Sequence, residues 1–330
     1  MEIWLHTFSF PHRVAELARQ AEHWGFTGLL VADSQNLNAD VWIELALAAQ
    51  ATSRLGLGPG VTNPVSRHLA VTASAAATLH AETGGRAVLG IARGDSAVTQ
   101  IGRRPVSVGE LEQALETLQG YLRGAEVQLD GTTSAIRWLP DATLPKVPVY
   151  VAATGPRTIA AAARHAEGVD LTVGAELERM RWAIGIARTA GPAALSLGAY
   201  VNVAVHPDRD AARELVRGSA AIFARFSTEG APADGLSEVT KSGIERLSCG
   251  YEEAAHGEAA APYAQRIDHD FIDRFAVAGP ADYVRDRLTE IGAEGIGRLI
   301  VVPGSLDADP GELAESNRRF ARDVLPSLVD

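Results

Sequence analysis

Residues 55–68 read LGLGPGVTNPVSRH and contain the third predicted strand and the turn that follows it. It begins like a buried strand, but Gly56, Gly58 and Gly60 interrupt the apolar residues. Glycine weakens a strand because it has no side chain to pack, so repeated glycines usually mark a bulge or a close approach of the backbone to another group. The stretch therefore predicts a strand whose end lies against a neighbour or a ligand.

Apolar segments of strand length alternate with amphipathic helices on both sides of this stretch. The eight predicted strands are Glu2–His6, Gly28–Asp33, the segment from residue 55, Arg86–Ala92, Val149–Ala153, Val169–Val173, Leu197–Val205 and Arg298–Val302. Eight strand–helix pairs are the number that closes an α/β (β/α)8 TIM barrel. A doubly wound open sheet is the alternative. It would usually carry a dinucleotide fingerprint after its first strand, where this chain has HTFSFPHR, so we predict the barrel.

The chain is predicted to form one domain, residues 1–330, with two insertions. The first covers residues 124–147 and is bounded by Asp130-Gly131 and by prolines. The second covers residues 227–273 and is rich in glycine, alanine, serine and charged residues. Long insertions in compact domains are usually lids or mobile loops. A substrate lid and a surface excursion therefore remain alternatives for the second insertion.

Composition argues against several classes of function. The net charge of −11 disfavours nucleic acid or an anionic membrane as a partner. No run of about 18 apolar residues predicts a transmembrane helix, and the first residues, MEIWLHTF, lack the regions of a signal peptide. Cys249 is the only cysteine, so an internal disulfide cannot form. We expect a cytoplasmic protein.

Small and hydrogen-bonding residues follow the predicted strands, at the end of a TIM barrel where active sites lie. These residues are His6, Asp33, Thr62, Asn63, Asp95, Ser96, Thr154, Gly155 and Asn202. No two potential metal ligands have a short helical spacing such as HExxH, so we expect no metal. No GxSxG motif follows a strand, which argues against a serine hydrolase.

The segment ATGPRTIAAAARH, residues 153–165, predicts an anion site. A strand ends at Thr154 and Gly155, and Pro156 suits the first turn of a helix. The free amides of that helix, with Arg157 beside them, could bind a phosphate, and Gly155 could require a positive φ. An ordinary capped turn is the alternative. The second glycine-rich strand end, residues 56–63, favours the phosphate, because a flat ring could lie there while its phosphate reached the helix.

Three segments resemble the luciferase-like monooxygenase superfamily. GPGVTNPVSRHLAVTASAAATLHAETGGRAVLGIARGDSA is similar to its deazaflavin-dependent branch, the methylenetetrahydromethanopterin reductase-like proteins. ATGPRTIAAAARHAEGVD matches the family's phosphate-binding turn, and GPADYVRDRLTEIGAEGIGRLIVVP matches its usual final unit. The resemblance implies a bacterial luciferase-like TIM barrel, usually a homodimer. It also implies that FMN or coenzyme F-420, a 5-deazaflavin, binds at the C-terminal face of the barrel.

The resemblance implies roles for individual residues as well. A non-prolyl cis peptide between Gly60 and Val61 would form a bulge behind the ring of the cofactor. Asp33 is the expected proton donor or orienting group. Several deazaflavin enzymes of the family carry Asp-His after the second strand, whereas this chain has Asp33-Ser34, so His6 either compensates or is structural. The expected cofactor-binding residues are Gly60, Val61, Thr62, Asn63, Asp95, Ser96, Thr154, Gly155, Pro156 and Arg157.

The implied activity is an oxidoreductase that transfers hydride between coenzyme F-420 and a small organic substrate. One alternative is an FMN-dependent monooxygenase that receives reduced FMN from a separate reductase. Another is a non-catalytic flavin-binding barrel. A homodimer is expected through the helices Asp40–Thr52 and His68–Thr83, whose alanines permit close approach of helices, although they would also suit packing on the barrel alone. The identity of the substrate is left open.

Overall fold

The computed structural model describes residues 1–139, 144–227, 234–248 and 255–329. Its strands are β1 (Glu2–Thr7), β2 (Gly28–Val31), β3 (Gly56–Pro59), β4 (Leu89–Ile91), β5 (Val127–Leu129), β6 (Thr132–Ser134), β7 (Val149–Ala153), β8 (Gly168–Leu171), β9 (Ser196–Val205), β10 (Val277–Gly279) and β11 (Arg298–Val302). Eight of them form a parallel sheet in the order β3-β2-β1-β11-β9-β8-β7-β4. Parallel bridges from Leu57 to Ala87 and from Thr62 to Ile91 join β3 to β4 and close the barrel. The predicted TIM barrel is confirmed.

Helices follow the barrel strands and surround them. They are α1 (Val14–Trp24), α2 (Val41–Ala51), α3 (Leu69–Glu82), α4 (Ser96–Thr99), α5 (Val108–Leu122), α6 (Pro156–His165), α7 (Leu177–Ala190), α8 (Arg209–Phe226), α9 (Glu238–Ser248), α10 (His269–Phe275), α11 (Ala281–Ala293) and α12 (Pro310–Arg319). Local sequence explains their ends. Asp40 caps α2 through its side chain, Ser107 and Glu110 form a capping box on α5, and Gly25 ends α1 at a φ of 93°.

The first predicted insertion contains the antiparallel hairpin of β5 and β6. Its turn is made by Asp130 and Gly131, which both have positive φ, at 50° and 74°. Two consecutive positive φ values are typical of the tight hairpin turns whose twist matches the flanking strands. Residues 140–143 of this insertion lie outside the described residues.

The second predicted insertion begins at the end of α8, and its described parts include α9 and most of α10. Phe271 and Phe275 on α10 are fully buried and stack with ring centroids 5.5 Å apart. They belong to an apolar cluster with side chains of α8, such as Leu215 and Val216. The described parts are therefore packed helices, which the composition did not predict. Residues 228–233 and 249–254, including Cys249, lie outside the described residues.

The glycines of β3 make room for side chains inside the barrel. A Cβ at Gly56 would lie 2.6 Å from Trp4, and one at Gly58 would lie 2.4 Å from the carbonyl oxygen of Val88. This corrects the expectation that the bare backbone of β3 faces a ligand ring. A side chain at either glycine would clash with residues of the barrel itself.

A charged layer fills the N-terminal half of the barrel. Arg298 is 1% exposed, and its guanidinium carbon lies 4.1 Å from the ring centroids of both Trp4 and Tyr150, a cation–π arrangement. Burial raises the pKa of Asp170, and the positive charge of Arg298 offsets part of that rise. Gly198 pairs in register with both charged residues, so its lack of a side chain gives them space.

Candidate active site

The predicted site residues lie at the C-terminal end of the barrel because all eight barrel strands are parallel. His6 is near the end of β1, and Asp33 follows β2 by two residues. The segment 60–63 follows β3 directly, and the segment 154–157 follows β7 and begins α6. Together these residues form one polar mouth, the end at which TIM-barrel enzymes carry out their chemistry.

The peptide bond between Gly60 and Val61 is cis, as predicted. The amide of Gly60 donates to the carbonyl oxygen of Val31 at 2.7 Å, and that of Thr62 donates to Gly90 at 3.0 Å. The segment that follows β3 is therefore bonded on one side to β2 and on the other side to β4.

His6 is 4% exposed and lies beneath this segment. Its Nε2 is 2.8 Å from the carbonyl oxygen of Gly60, which can only accept, so Nε2 carries the proton. Burial lowers the pKa of His6 to about 4, although the hydrogen bond to Gly60 acts in the opposite direction. The imidazole is therefore neutral near pH 7. Its Nδ1 is buried and has no hydrogen-bond partner among the described residues.

Asp33 is 2% exposed and accepts hydrogen bonds from three side chains. Thr62 Oγ1 donates to its Oδ2 at 2.6 Å, Arg67 Nη1 lies 3.0 Å from the same oxygen, and Gln35 donates to Oδ1. Arg67 also pairs with Asp40. A carboxylate held by a cation and two further donors is suited to orienting its neighbours. Of the two predicted roles for Asp33, the geometry favours the orienting group over the proton donor.

Asn63 organises the loop that follows the cis peptide. Its Oδ1 accepts hydrogen bonds from the amides of Val65 at 2.9 Å and Ser66 at 2.8 Å. Its Nδ2 and the hydroxyl of Ser66 are buried, and no described residue pairs with either atom. Buried polar groups without partners are costly and rare in proteins. Donors of this kind fit the acceptor atoms at the edge of a flavin or deazaflavin, or those of its tail.

The start of α6 has the features predicted for a phosphate site. Gly155 precedes the helix, Pro156 opens it, and no side chain in the described part of the chain caps it. The first helical hydrogen bond runs from Ile159 to Gly155, so the amides of Arg157 and Thr158 have no partner within the helix. The expectation of a positive φ at Gly155 is wrong, since its φ is −94°. The uncapped amides and the exposed Arg157 suit a phosphate group.

Asp95 and Ser96 lie at the start of α4, a single helical turn beside the mouth. Ser96 is buried, and the Asp95 carboxylate is 4.0 Å from the guanidinium of Arg225 on α8. The structure thus places this pair between β4 and α8. Their role along the cofactor tail stays a prediction.

Two aromatic residues of the mouth, Tyr200 and Phe223, were not predicted from the sequence. Tyr200 on β9 is 3% exposed, and burial raises the pKa of its hydroxyl. Its ring lies 5.9 Å from those of His6 and of Phe223 on α8, measured between centroids. The alternation of β9 places Tyr200 on the same face as Asn202, which was singled out as a strand-end residue, and this could have identified Tyr200.

The described residues lack two further kinds of feature. No three histidine, cysteine or carboxylate side chains within them are grouped in a way that could hold a metal ion. No described helix combines the length and apolar character needed to cross a membrane.

A parallel barrel with its polar residues at the C-terminal end of the strands has the general architecture of a TIM-barrel enzyme. Residues 3–298 match the family described as luciferase-like monooxygenase. The chain belongs to the luciferase-like monooxygenase family.

The 5,10-methylenetetrahydromethanopterin reductase of Archaeoglobus fulgidus is 30% identical over 325 residues, which cover 93% of this chain and 93% of that protein. The structure of the coenzyme F-420-dependent tetrahydromethanopterin reductase of Methanopyrus kandleri has a TM-score of 0.75 and 24% identity, covering 100% of this chain and 99% of that one. The FMN complex of the oxygenating constituent of 3,6-diketocamphane monooxygenase from Pseudomonas putida has a TM-score of 0.68 and 16% identity, covering 100% and 99%. The predicted resemblance to the methylenetetrahydromethanopterin reductase-like branch is confirmed.

Proposed function

We propose that this protein is an oxidoreductase in which hydride passes between coenzyme F-420 and a small organic substrate. One juxtaposition at the barrel mouth carries the proposal. Asn63 Nδ2, a donor without a partner among the described residues, follows β3, and the start of α6, which no described side chain caps, follows β7. Only β4 separates these strands, and neighbouring strands are about 4.8 Å apart, so the strand ends that carry the two groups lie about 10 Å apart. That span suits a rigid ring system with a phosphate-bearing tail.

The residues of this chain would bind and orient the cofactor, which supplies the hydride chemistry when bound. Thr62 and Asn63 would meet the ring edge or the tail, and Asp33 holds Thr62 in place. The residues proposed for the tail and its phosphate are Asp95, Ser96, Thr154, Gly155, Pro156 and Arg157. The segment at Gly60 and Val61 would lie against the ring. The reductase from Archaeoglobus fulgidus, similar over nearly its whole length, supports this assignment.

An FMN-dependent monooxygenase is the second candidate, because the FMN-bound monooxygenase from Pseudomonas putida shares the fold. Such an enzyme would need a separate reductase to supply reduced FMN. The same mouth and the same start of α6 would bind either cofactor. The two candidates differ in their reaction with oxygen, because a 5-deazaflavin transfers hydride but reacts poorly with oxygen.

Equilibrium dialysis against coenzyme F-420 and against FMN distinguishes the candidates. We expect the absorbance of the bound fraction to show F-420 bound at micromolar concentration, with FMN bound at least tenfold more weakly. Preferential binding of FMN, with oxygen uptake when reduced FMN is added, would favour the monooxygenase. Binding of neither cofactor would contradict both candidates.

The protein is also proposed to be a cytoplasmic homodimer that associates through α2 and α3. Ile43 and Leu47 on α2 are 63% and 45% exposed, and Val71 on α3 is 56% exposed. An alanine-rich groove runs between these helices and includes Ala46, Ala70 and Ala75. Contiguous exposed apolar surface usually marks an interface, and a second copy of this chain would bury it.

Light scattering tests the dimer directly. The expected mass is twice the 34.8 kDa of one chain. Val71→Asp should yield monomers, whereas Leu306→Asp, a matched change of an exposed apolar residue elsewhere, should not. A monomer mass for the unmodified protein at micromolar concentration would contradict the proposal.

A further inference from the structure

His6 on β1 and Tyr200 on β9, the two strands that flank β11, meet inside the barrel beneath Gly60. A Cβ placed on Gly60 would lie 3.1 Å from His6 Cδ2 and 3.4 Å from the Tyr200 hydroxyl oxygen. The Nε2 proton of His6 is donated to the carbonyl oxygen of the same glycine at 2.8 Å. Two side chains that are far apart in the sequence therefore support one residue of the mouth.

We propose that His6 is a positioning residue that fixes the Gly60 carbonyl and, with it, the segment that faces the cofactor. The ring of Tyr200 packs against the imidazole and holds it in place. The inference rests on the proposed function for the identity of the cofactor. It differs from the predicted role of His6 at the reacting centre, because here the imidazole acts through Gly60.

The surroundings of His6 favour a positioning role over a role in proton transfer. A general acid needs a proton on an atom that can reach the substrate. The proton on Nε2 is already donated to Gly60, and Nδ1 is buried. Phe223 adds a further cover, with its ring centroid 6.5 Å from that of the imidazole. Burial lowers the pKa of His6 to about 4, so near pH 7 it has no second proton to give.

The first test needs no cofactor and therefore does not depend on the proposed function. Long-range nitrogen–proton NMR spectra of the ligand-free protein report which ring nitrogen of His6 carries the proton. We expect the proton on Nε2 and no titration of this ring between pH 5 and pH 8. A ring that titrates near pH 6.5, or one protonated on Nδ1, would overturn the proposal.

The second test is a fluorescence titration with coenzyme F-420. Glutamine can present an amide donor near the position of Nε2, so His6→Gln should bind F-420 within about threefold of the wild-type Kd. His6→Leu removes the donor and should weaken binding by tenfold or more. The control, His23→Leu, changes an exposed histidine on α1 and should leave Kd unchanged.

The outcomes are distinguishable. If His6→Leu binds F-420 as tightly as the wild type, His6 does not position the cofactor segment and the proposal is wrong. If the unmodified protein does not bind F-420, the proposed function fails, and the NMR result alone decides whether His6 holds Gly60. Circular dichroism shows whether each variant is folded.

Discussion

Thr62 Oγ1 donates a hydrogen bond to Asp33 Oδ2 at 2.6 Å, and both residues are almost completely buried. This bond connects the end of β2 to the segment after β3. Asp33 in turn holds Arg67, which belongs to the loop before α3. The mouth of the barrel is thus held by a polar network in addition to the strand pairing.

Thr62→Val tests this network, because valine keeps the shape of threonine and removes the hydroxyl. The carboxylate of Asp33 loses a buried donor, so the free energy of unfolding should fall by about 1.5–3 kcal/mol. Urea unfolding measures the change. The matched control is Thr289→Val, because the hydroxyl of Thr289 donates to the carbonyl of Arg285 on the exposed face of α11. A loss for Thr62→Val no larger than that of the control would refute the importance of the network.

Arg157→Ala tests the phosphate site at the start of α6. A charge-assisted hydrogen bond contributes about 1.5–3 kcal/mol, so binding of F-420 should weaken about tenfold or more, and high salt should reduce the difference. Arg164→Ala, at the other end of the same helix, removes an ion pair with Glu112 and should leave the affinity unchanged. Equal affinities for both variants and the wild type would place the phosphate elsewhere. Gly155 has an ordinary backbone conformation, so Gly155→Val should act by crowding the anion.

The lowered pKa of His6 predicts a loss of stability in acid. An unfolded histidine titrates near pH 6.5, whereas burial lowers the pKa of folded His6 to about 4. As the pH falls through this window, the unfolded chain binds a proton that the folded protein does not. The contribution is therefore complete above pH 6.5 and is lost progressively toward pH 4, by about 2 kcal/mol at pH 5.

His6→Gln removes this titration and provides the comparison. Urea unfolding at pH 7.5 and at pH 5 should show a smaller acid-induced loss for His6→Gln than for the wild type. Identical losses for the two proteins would show that His6 titrates alike in the folded and unfolded states.

Gly198→Ala tests the charged layer inside the barrel. A Cβ there would lie 2.1 Å from Asp170 Oδ1, and Asp170 is buried, so its carboxylate has no solvent-filled space to move into. Overpacking of this kind costs about 1–3 kcal/mol of stability. Gly185→Ala is the control, because that glycine lies within α7 and no other group of the described residues lies within 4 Å of a Cβ placed on it. Alanine should stabilise that helix by up to about 1 kcal/mol. Thermal unfolding of the two variants should therefore shift in opposite directions, and a shift in the same direction would contradict the packing described.

The barrel was predictable from the sequence because alternation of strands and helices is a local signal. All eight barrel strands were identified, with boundaries that differ from the structure by a few residues. β10 was missed because it has only three residues, too few to give a periodic pattern. It pairs with the C-terminal end of β9. The helices α9 and α10 were missed because their segment is rich in glycine, serine and charge.

The site was less predictable because its contacts join distant parts of the chain. Asp33 could be singled out at a strand end, but its ion pair with Arg67 depends on the path of the loop between β3 and α3. Tyr200 and His6 meet only because β11, from the end of the chain, pairs between β1 and β9. The glycines of β3 correctly predicted that another group lies close to the backbone. At Gly56 that group is the side chain of Trp4, which belongs to the barrel itself.

A crystal structure of the protein with coenzyme F-420 bound tests the central claim most directly. We predict that the phosphate accepts hydrogen bonds from the amides of Arg157 and Thr158, and that the ring lies beside residues 60–63. Cofactor bound away from the barrel mouth, for instance in the groove between α2 and α3, would contradict the account. So would a phosphate that makes no contact with α6.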